Sequence, residues 1–506
     1  DTFSFLTTPL NGPTNPLFAP SPLKTSLKML LSTRNVAFAC RNLISSGAFT
    51  RSFTSWSPSF EEEHKGKGVG IHAMQIVFPK TYVSQSDLEL ADGVGEGKYR
   101  KGLGQENMAF TSDREDMPSL SMTAVQRLFD RDGVDPARCG RLEVGTETLI
   151  DKSKSTKSYL MPLFGNNSAI LGIDTINACY GGTSALFNAA QWCESSLYEE
   201  GQYAIVVAGD IAVYEPGPAR PTGGAGAVAM LVGPNAPLQL EGNRLGVHME
   251  HQYDFYKPSL GSEYPAVDGA LSIECYFRAL DLCYERWINK GGDAQNQFDY
   301  ACFHSPFGKL VEKSFARLLY RDFLRNPEAV GSQVKEALAE FAGLDAVASY
   351  SDRGLQNAVN KLAAGDFAQK VLPGAFCSKN LGNLYTGSVY GNLLSLIEQK
   401  GRELENNRVM MFSYGSGVAA TMFSFVVPEG RGEEIQSIAD HADINSRFSE
   451  RSRKTADEMV SALSLREQAY GAKSFVPKGS VDELFPKTWY LANVDDKHRR
   501  EYAFKE

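Results

Sequence analysis

The sequence predicts an α/β protein made of two similar halves around sheet that is covered on both faces. Two apolar runs, 204–210 and 226–232, lack the strict alternation of a half-exposed strand, as strands buried on both sides do. Helical patterns alternate with such short β-rich runs along the chain. Each half also holds a strand, a glycine bend and a run of small residues, which points to a faint internal repeat.

Residues 1–65 stand apart. From Thr2 to Phe60 there is no Asp or Glu, and Arg34, Arg41 and Arg51 are spread among Ser, Thr, Leu, Ala and Phe. That is the composition of a mitochondrial transit peptide, with a plain Ser/Pro-rich tail as the alternative. Met29 is the expected true start. The globular part begins with a strand-like run at 69–79, and a half boundary is expected near 238, giving units of 66–238 and 239–506. The run 172–178 reads as β-prone and ends at Cys179; a helical pattern follows over 184–193. Residues 409–417 read as a strand entering a Gly-rich bend, with a small-residue run at 418–427. The charged stretch 433–458 reads as surface helix, 489–491 as a final strand, and 497–500 as solvated.

Composition narrows the function. A net charge of -9 gives no support to nucleic-acid binding, since an acidic surface repels phosphate backbones. No uninterrupted apolar stretch reaches about 18 residues, so no membrane span is expected. The 8 cysteines form no CxxC pair, which argues against a zinc knuckle or redox motif and suits free thiols in a reducing compartment.

The strongest chemical candidate is Cys179, at a strand-to-helix bend followed by Gly181, Gly182 and Thr183. Near the positive end of a helix dipole a thiolate is favoured, and backbone N–H groups can face a substrate oxygen. A small buried cysteine beside a turn fits the same spacing. Glu147 follows an apolar run, at a strand end where active sites of α/β sheets cluster, although a capping surface Glu reads the same way. His304 lies where another apolar run breaks before Ser305 and Pro306. Lys309 and Lys313 follow at one helical turn, two cations on one face that suit phosphates or simply a solvated face. His248 and His251 are spaced like a metal pair but have no third ligand. The glycine-rich loop 220–226 lacks the ending of a P-loop and reads as close backbone approach.

Together these stretches resemble the eukaryotic hydroxymethylglutaryl-CoA synthases, over about residues 68–502. The blocks are GRLEVGTET at 140–148, IDKSKS at 150–155, NACYGGT at 177–183, ARPTGGAGAVAML at 219–231, YDFYKP at 253–258, FHSPF at 303–307 and FSYGSG at 412–417. The resemblance implies a thiolase-like fold in αβαβα layers and a homodimer. It implies condensation of acetyl-CoA with acetoacetyl-CoA and water to 3-hydroxy-3-methylglutaryl-CoA and CoA, with no cofactor. Cys179 would carry the acetyl group, Glu147 would deprotonate its methyl, and His304 would hold the acetoacetyl group. Lys309 and Lys313 would approach the CoA phosphates. Thr222, Ser272, Asn383 and Ser416 would line the acyl and pantetheine channel. Asp151, Asp210, Asp254 and His248 would form the surrounding polar shell, and Gly97 and Lys98 the adenine-side loop.

The chain departs from the family pattern at Pro218, at Gly95 and Glu96, and at 379–381 before Gly382, which bears on CoA affinity rather than on the reaction. The rival readings are another thiolase-fold condensing enzyme, a catalytically silent acyl-CoA-binding protein, and a cysteine hydrolase. Glu147 in its GTET setting argues against the first, and the intact Cys179, Glu147 and His304 against the second. The third lacks a peptide or amide recognition signature. Pathway follows compartment: a mitochondrial enzyme suits ketone-body formation, a cytoplasmic one mevalonate and sterols.

Overall fold

In the computed structural model, residues 67–291 and 297–506 are described. The leader expected at 1–65, with its Met29 start, lies outside them. Ten strands form the main sheet: β1 (Gly70–Val77), β2 (Cys139–Gly145), β3 (Asp174–Thr175), β4 (Tyr203–Ala212), β5 (Gly224–Gly233), β6 (Leu238–Leu240), β7 (Gly246–Met249), β8 (Tyr300–Phe303), β9 (Arg408–Gly415) and β10 (Ala419–Val426). Their order is β8-β9-β10-β6-β1-β5-β4-β2-β3, with β7 also paired to β10. The short β6 pairs with β1 on one side and β10 on the other, so strands of both halves share one hydrogen-bonded sheet.

Among the helices that pack on it are α1 (Met117–Asp132), α2 (Gly181–Glu194), α3 (Gly269–Gly291), α4 (Gly308–Arg325), α5 (Arg353–Lys370) and α6 (Ser388–Lys400). The pleat sends alternate side chains of each strand to opposite faces. On β4, Ala204, Val206 and Ala208 join a core with Ala185 and Ala189 of α2 and Leu393 and Leu396 of α6. Ile205, Val207 and Ile211 point the other way, against Leu120, Val125 and Leu128 of α1. On β9, Val409 and Met411 enter the α2/α6 core, while Met410, Phe412 and Tyr414 pack with α3 and α4. The layers are therefore α1, the first half of the sheet, α2 with α6, the second half of the sheet, then α3 to α5. This is the expected αβαβα order, and it explains why the strands are apolar along most of their length on both faces.

The C-terminal region differs from expectation. The charged stretch 433–458 is not one helix. Asp443 sits at φ 50°, in the left-handed region, and separates Gly432–Ala442 from Ile444–Ser449; a short strand, Ser452–Lys454, then precedes Ala456–Ala469. Charge pattern alone cannot locate such breaks. The strand at 489–491 is longer, Thr488–Val494, and is not the last, since Arg500–Lys505 pairs with it as a hairpin. Arg500 is not solvated either: it reaches Asp116 at 2.8 Å, beside Tyr502.

Candidate active site

Cys179 lies between β3 and α2 with φ 53°, a left-handed conformation uncommon for a residue bearing a Cβ and typical of held functional bends. The two following glycines let the bend press into the sheet. A Cβ on Gly182 would fall 2.5 Å from the Ala208 Cβ, and one on Gly181 would run into the Thr175 carbonyl. The Gly182 N–H donates to Thr386 Oγ1 at 2.6 Å. Cys179 is buried, and burial pushes its thiol well above the usual value, with the Glu147 and Asp210 carboxylates pushing it further. The thiolate expected from the helix terminus is therefore not the resting form. A helix dipole favours it, but desolvation and two nearby anions outweigh that effect.

Those anions come from distant sequence. Asp210, fully buried on β4, accepts the Thr146 hydroxyl at 2.7 Å, the Glu147 N–H at 2.8 Å, the Thr148 hydroxyl at 2.8 Å and the Thr386 N–H at 3.2 Å. Burial, then the Glu147 charge, raises its carboxyl. So fixed at its backbone, Glu147 turns its own carboxylate to Cys179: Oε2 accepts the Cys179 N–H at 2.6 Å. Its Oε1 lies 3.1 Å from Lys257 Nζ. Burial works against the Lys257 charge, but Glu147 and Asp210 more than offset it and hold the ammonium above its usual pKa. Sequence reasoning missed Lys257. A single Lys in a loop carries no periodic signal, and only its place in the YDFYKP block marked it.

His304 follows β8. Its N–H donates to the Phe412 carbonyl at 2.7 Å and its carbonyl accepts the Tyr276 hydroxyl at 2.7 Å. The ring stacks on Tyr414 at 6.4 Å between centroids. Burial pulls its pKa down to about 3, so it is a neutral imidazole near neutral pH, and its Nδ1 is buried without a partner among the described residues. Tyr414 donates to Asp254 Oδ2 at 2.8 Å, and the Gly417 N–H to Asp254 Oδ1 at 2.9 Å. Ser272 Oγ donates to the Asp254 carbonyl at 2.9 Å. Asp254 thus fixes the bend that carries Ser416. At the head of that bend a Cβ on Gly415 would strike the Ala178 carbonyl, so this glycine bend lies directly on the Cys179 bend.

The other expected residues divide. Asn383 donates its N–H to the Thr222 carbonyl at 3.1 Å, bringing those two together, and its Oδ1 accepts the Tyr385 N–H at 2.8 Å. The loop 220–226 approaches closely there, as expected: a Cβ on Gly224 would fall 2.5 Å from the Asn383 carbonyl. Lys309 holds Glu312 at 2.6 Å at the start of α4, with Lys313 one turn on. Gly97, at φ 81°, donates its N–H to Glu89 at 2.8 Å, and Lys98 beside it is exposed. His248 lies on β7, its Nε2 3.6 Å from Glu250. Asp151 does not join the polar shell. It is exposed and caps its own turn, accepting the N–H groups of Ser153 and Lys154, each at 2.7 Å. Among the described residues no three His, Cys, Asp or Glu side chains gather to hold a metal.

A buried cysteine at the head of a middle-layer helix, with a carboxylate and a neutral histidine set on strand ends of an αβαβα fold, is the arrangement of the thiolase-like class of acyl-transferring enzymes. The comparisons narrow the class. Residues 65–237 match the family model described as hydroxymethylglutaryl-coenzyme A synthase N terminal, and 238–505 match its C-terminal counterpart. The chain is 52% identical over 446 residues to hydroxymethylglutaryl-CoA synthase A of Dictyostelium discoideum, covering 87% of this chain and 91% of that one. It is 48% identical to the cytoplasmic human enzyme (86% and 87% covered) and 45% identical to the mitochondrial mouse enzyme (96% and 98% covered). A solved structure of MvaS in complex with 3-hydroxy-3-methylglutaryl coenzyme A superposes with a TM-score of 0.76 at 32% identity, covering 87% of this chain and 99% of that one. The chain belongs to the hydroxymethylglutaryl-CoA synthase family.

Proposed function

We propose that the protein condenses acetyl-CoA with acetoacetyl-CoA and water to 3-hydroxy-3-methylglutaryl-CoA and free CoA, with Cys179, Glu147 and His304 as its catalytic residues. The observation that carries the assignment is the 2.6 Å bond from the Cys179 N–H to Glu147 Oε2, which sets a carboxylate beside any acyl group on Sγ. Cys179 Sγ attacks the acetyl thioester, and its proton leaves with the CoA thiolate. Glu147 then takes a proton from the acetyl methyl, and the enolate adds to the β-keto carbon of acetoacetyl-CoA. His304, neutral and with an unpartnered ring nitrogen, donates a hydrogen bond to the keto oxygen as it becomes an alkoxide. The alkoxide takes a proton, and water cleaves the enzyme thioester, freeing Cys179. A general base typically contributes about 10²–10⁴-fold, and donors aimed at a developing oxyanion a comparable factor.

Radiolabelled acetyl-CoA tests this. Cys179→Ala abolishes covalent labelling, whereas Glu147→Gln keeps labelling and loses condensation by at least ~10²-fold. Normal condensation by Glu147→Gln would remove the base assignment.

The homodimer, the division at 238 and the CoA contacts of Lys309, Lys313, Thr222, Asn383 and Ser416 belong to the same reading. The stretch from Thr2 to Phe60, without Asp or Glu, supports mitochondrial import over a cytoplasmic site, while relatives carry both labels. A fluorescent protein fused behind residues 1–65 that stays in the cytosol would reverse that choice.

A further inference from the structure

Between β7 and α3 the chain forms a short hairpin, Phe255–Tyr256 paired with Ala266–Val267. Lys257 opens the connection between these strands, and Glu263 and Tyr264 stand near its end. So short a ribbon has little stability of its own, and its partners elsewhere decide where it sits. Lys257 lies over the Tyr385 ring at 4.8 Å and beside Glu147 at 3.1 Å. Glu263 is held by Arg466, from the last turn of the helix Ala456–Ala469. Arg466 Nη2 donates to Glu263 Oε1 at 2.7 Å, and Nη1 to the Glu115 carbonyl at 2.8 Å. Both side chains of this pair are largely buried, 9% and 11% exposed. Taking two charges out of water is costly, and the mechanism gives neither Arg466 nor Glu263 a task. Their place beside Lys257 supplies one. With burial set against it, the Lys257 charge is drawn by Glu147 most and by Glu263 as well. Tyr470, whose hydroxyl burial pushes up, also feels Glu263, Lys257 and Arg466, so the three surround one point. A poorly hydrated ammonium between two carboxylates turns to the one that lacks another partner.

We propose that Arg466 is a positioning residue for the condensation: by occupying Glu263 it leaves Lys257 to Glu147 alone, which keeps the Glu147 carboxylate aimed at the acetyl methyl. The proposal rests on the reading of Glu147 as the base. Lys257 touches the base rather than the substrate, and Arg466 acts one step further out, through Glu263. With Oε2 on the Cys179 N–H and Oε1 on the Lys257 ammonium, both oxygens of Glu147 are fixed. Without Arg466, the Glu263 carboxylate becomes a rival for Lys257, Glu147 Oε1 loses its partner, and the carboxylate is free to rotate. A reacting group misplaced by about 1 Å costs up to ~10²-fold in rate.

Single-turnover measurements separate acetylation of Cys179 from condensation. In Arg466→Gln, condensation at saturating substrate slows about tenfold, the order expected for losing one charge-assisted hydrogen bond. Acetylation of Cys179 and the half-saturating substrate concentrations stay unchanged. Adding Glu263→Gln to that variant removes the rival carboxylate and restores most of the rate. A role in folding alone predicts the reverse, since the second substitution then adds to the damage. Glu263→Gln by itself, whose amide oxygen still accepts from Arg466, keeps the full condensation rate. That variant reads the proposal even where Arg466→Gln fails to fold. Slower condensation in Glu263→Gln, no recovery in the double variant, or an equal fall in acetylation overturns the proposal. If Glu147→Gln condenses normally, the base reading fails first, which is a separate and recognisable result.

Discussion

At Cys179 a helix terminus that favours a thiolate competes with burial and two carboxylates that oppose it, and the second set prevails. The resting residue is a thiol, and Glu147 holds the Cys179 N–H rather than waiting as an unengaged base for the sulfur. This arrangement has a measurable consequence. Glu147→Gln removes an anion beside the thiol, so alkylation of Cys179 by iodoacetamide at mildly alkaline pH speeds up by roughly tenfold, as for about one pKa unit. Slower alkylation would mean that Glu147 activates the sulfur itself. The sequence marked Cys179, Glu147 and His304 because each ends an apolar run. It did not show the thiol's true state, because Asp210 and Lys257 reach the site only through folding, from 31 and 78 positions away in the numbering. It also placed Asp151 in the polar shell on motif match alone, where the turn at 151–154 keeps that carboxylate in solvent.

Among the elements, α2 follows the Cys179 bend directly, and its glycines decide how closely it sits on β4. A Cβ on Gly182 meets the Ala208 Cβ at 2.5 Å and Thr386 Oγ1 at 2.9 Å, and no flexible side-chain end is there to yield. Gly182→Ala should therefore cost about 1–3 kcal/mol of stability, as overpacking does, and displace the Cys179 bend. Denaturant unfolding shows the first effect and the rate of Cys179 acetylation the second. An unaltered midpoint with unaltered acetylation would mean that α2 has room to shift. The strands and central helices were legible because they are long and apolar: the expected 204–210 and 409–417 became Tyr203–Ala212 and Arg408–Gly415. The region 433–458 was not, because its breaks depend on a left-handed Asp443 and on pairing of Ser452–Lys454 with the distant strand Thr81–Ser84.

For the whole molecule, the order of the sheet sets what the sequence could not, namely which edges are left open. At one edge β8 is buried, with Ala301, Cys302 and Phe303 at most 2% exposed. At the other, β3 has only β2 as a neighbour, and Leu171, Ile173 and Ile176 around it are 50%, 63% and 59% exposed. A bare apolar edge invites another chain, and proteins normally blunt such edges with charge or cover. The proposed homodimer would supply such a cover if a second copy applied the same edge about a two-fold axis. Ile173→Glu with Ile176→Glu then places like charges across the axis, where they repel. Sedimentation should show twice the 55.4 kDa chain mass for the unaltered protein and a single chain for the variant. Acetylation should fall as well, because Ile176 lies three residues before Cys179 and the edge braces the nucleophile's bend. A variant that remains dimeric would move the interface elsewhere, and a monomeric unaltered protein would end the dimer reading.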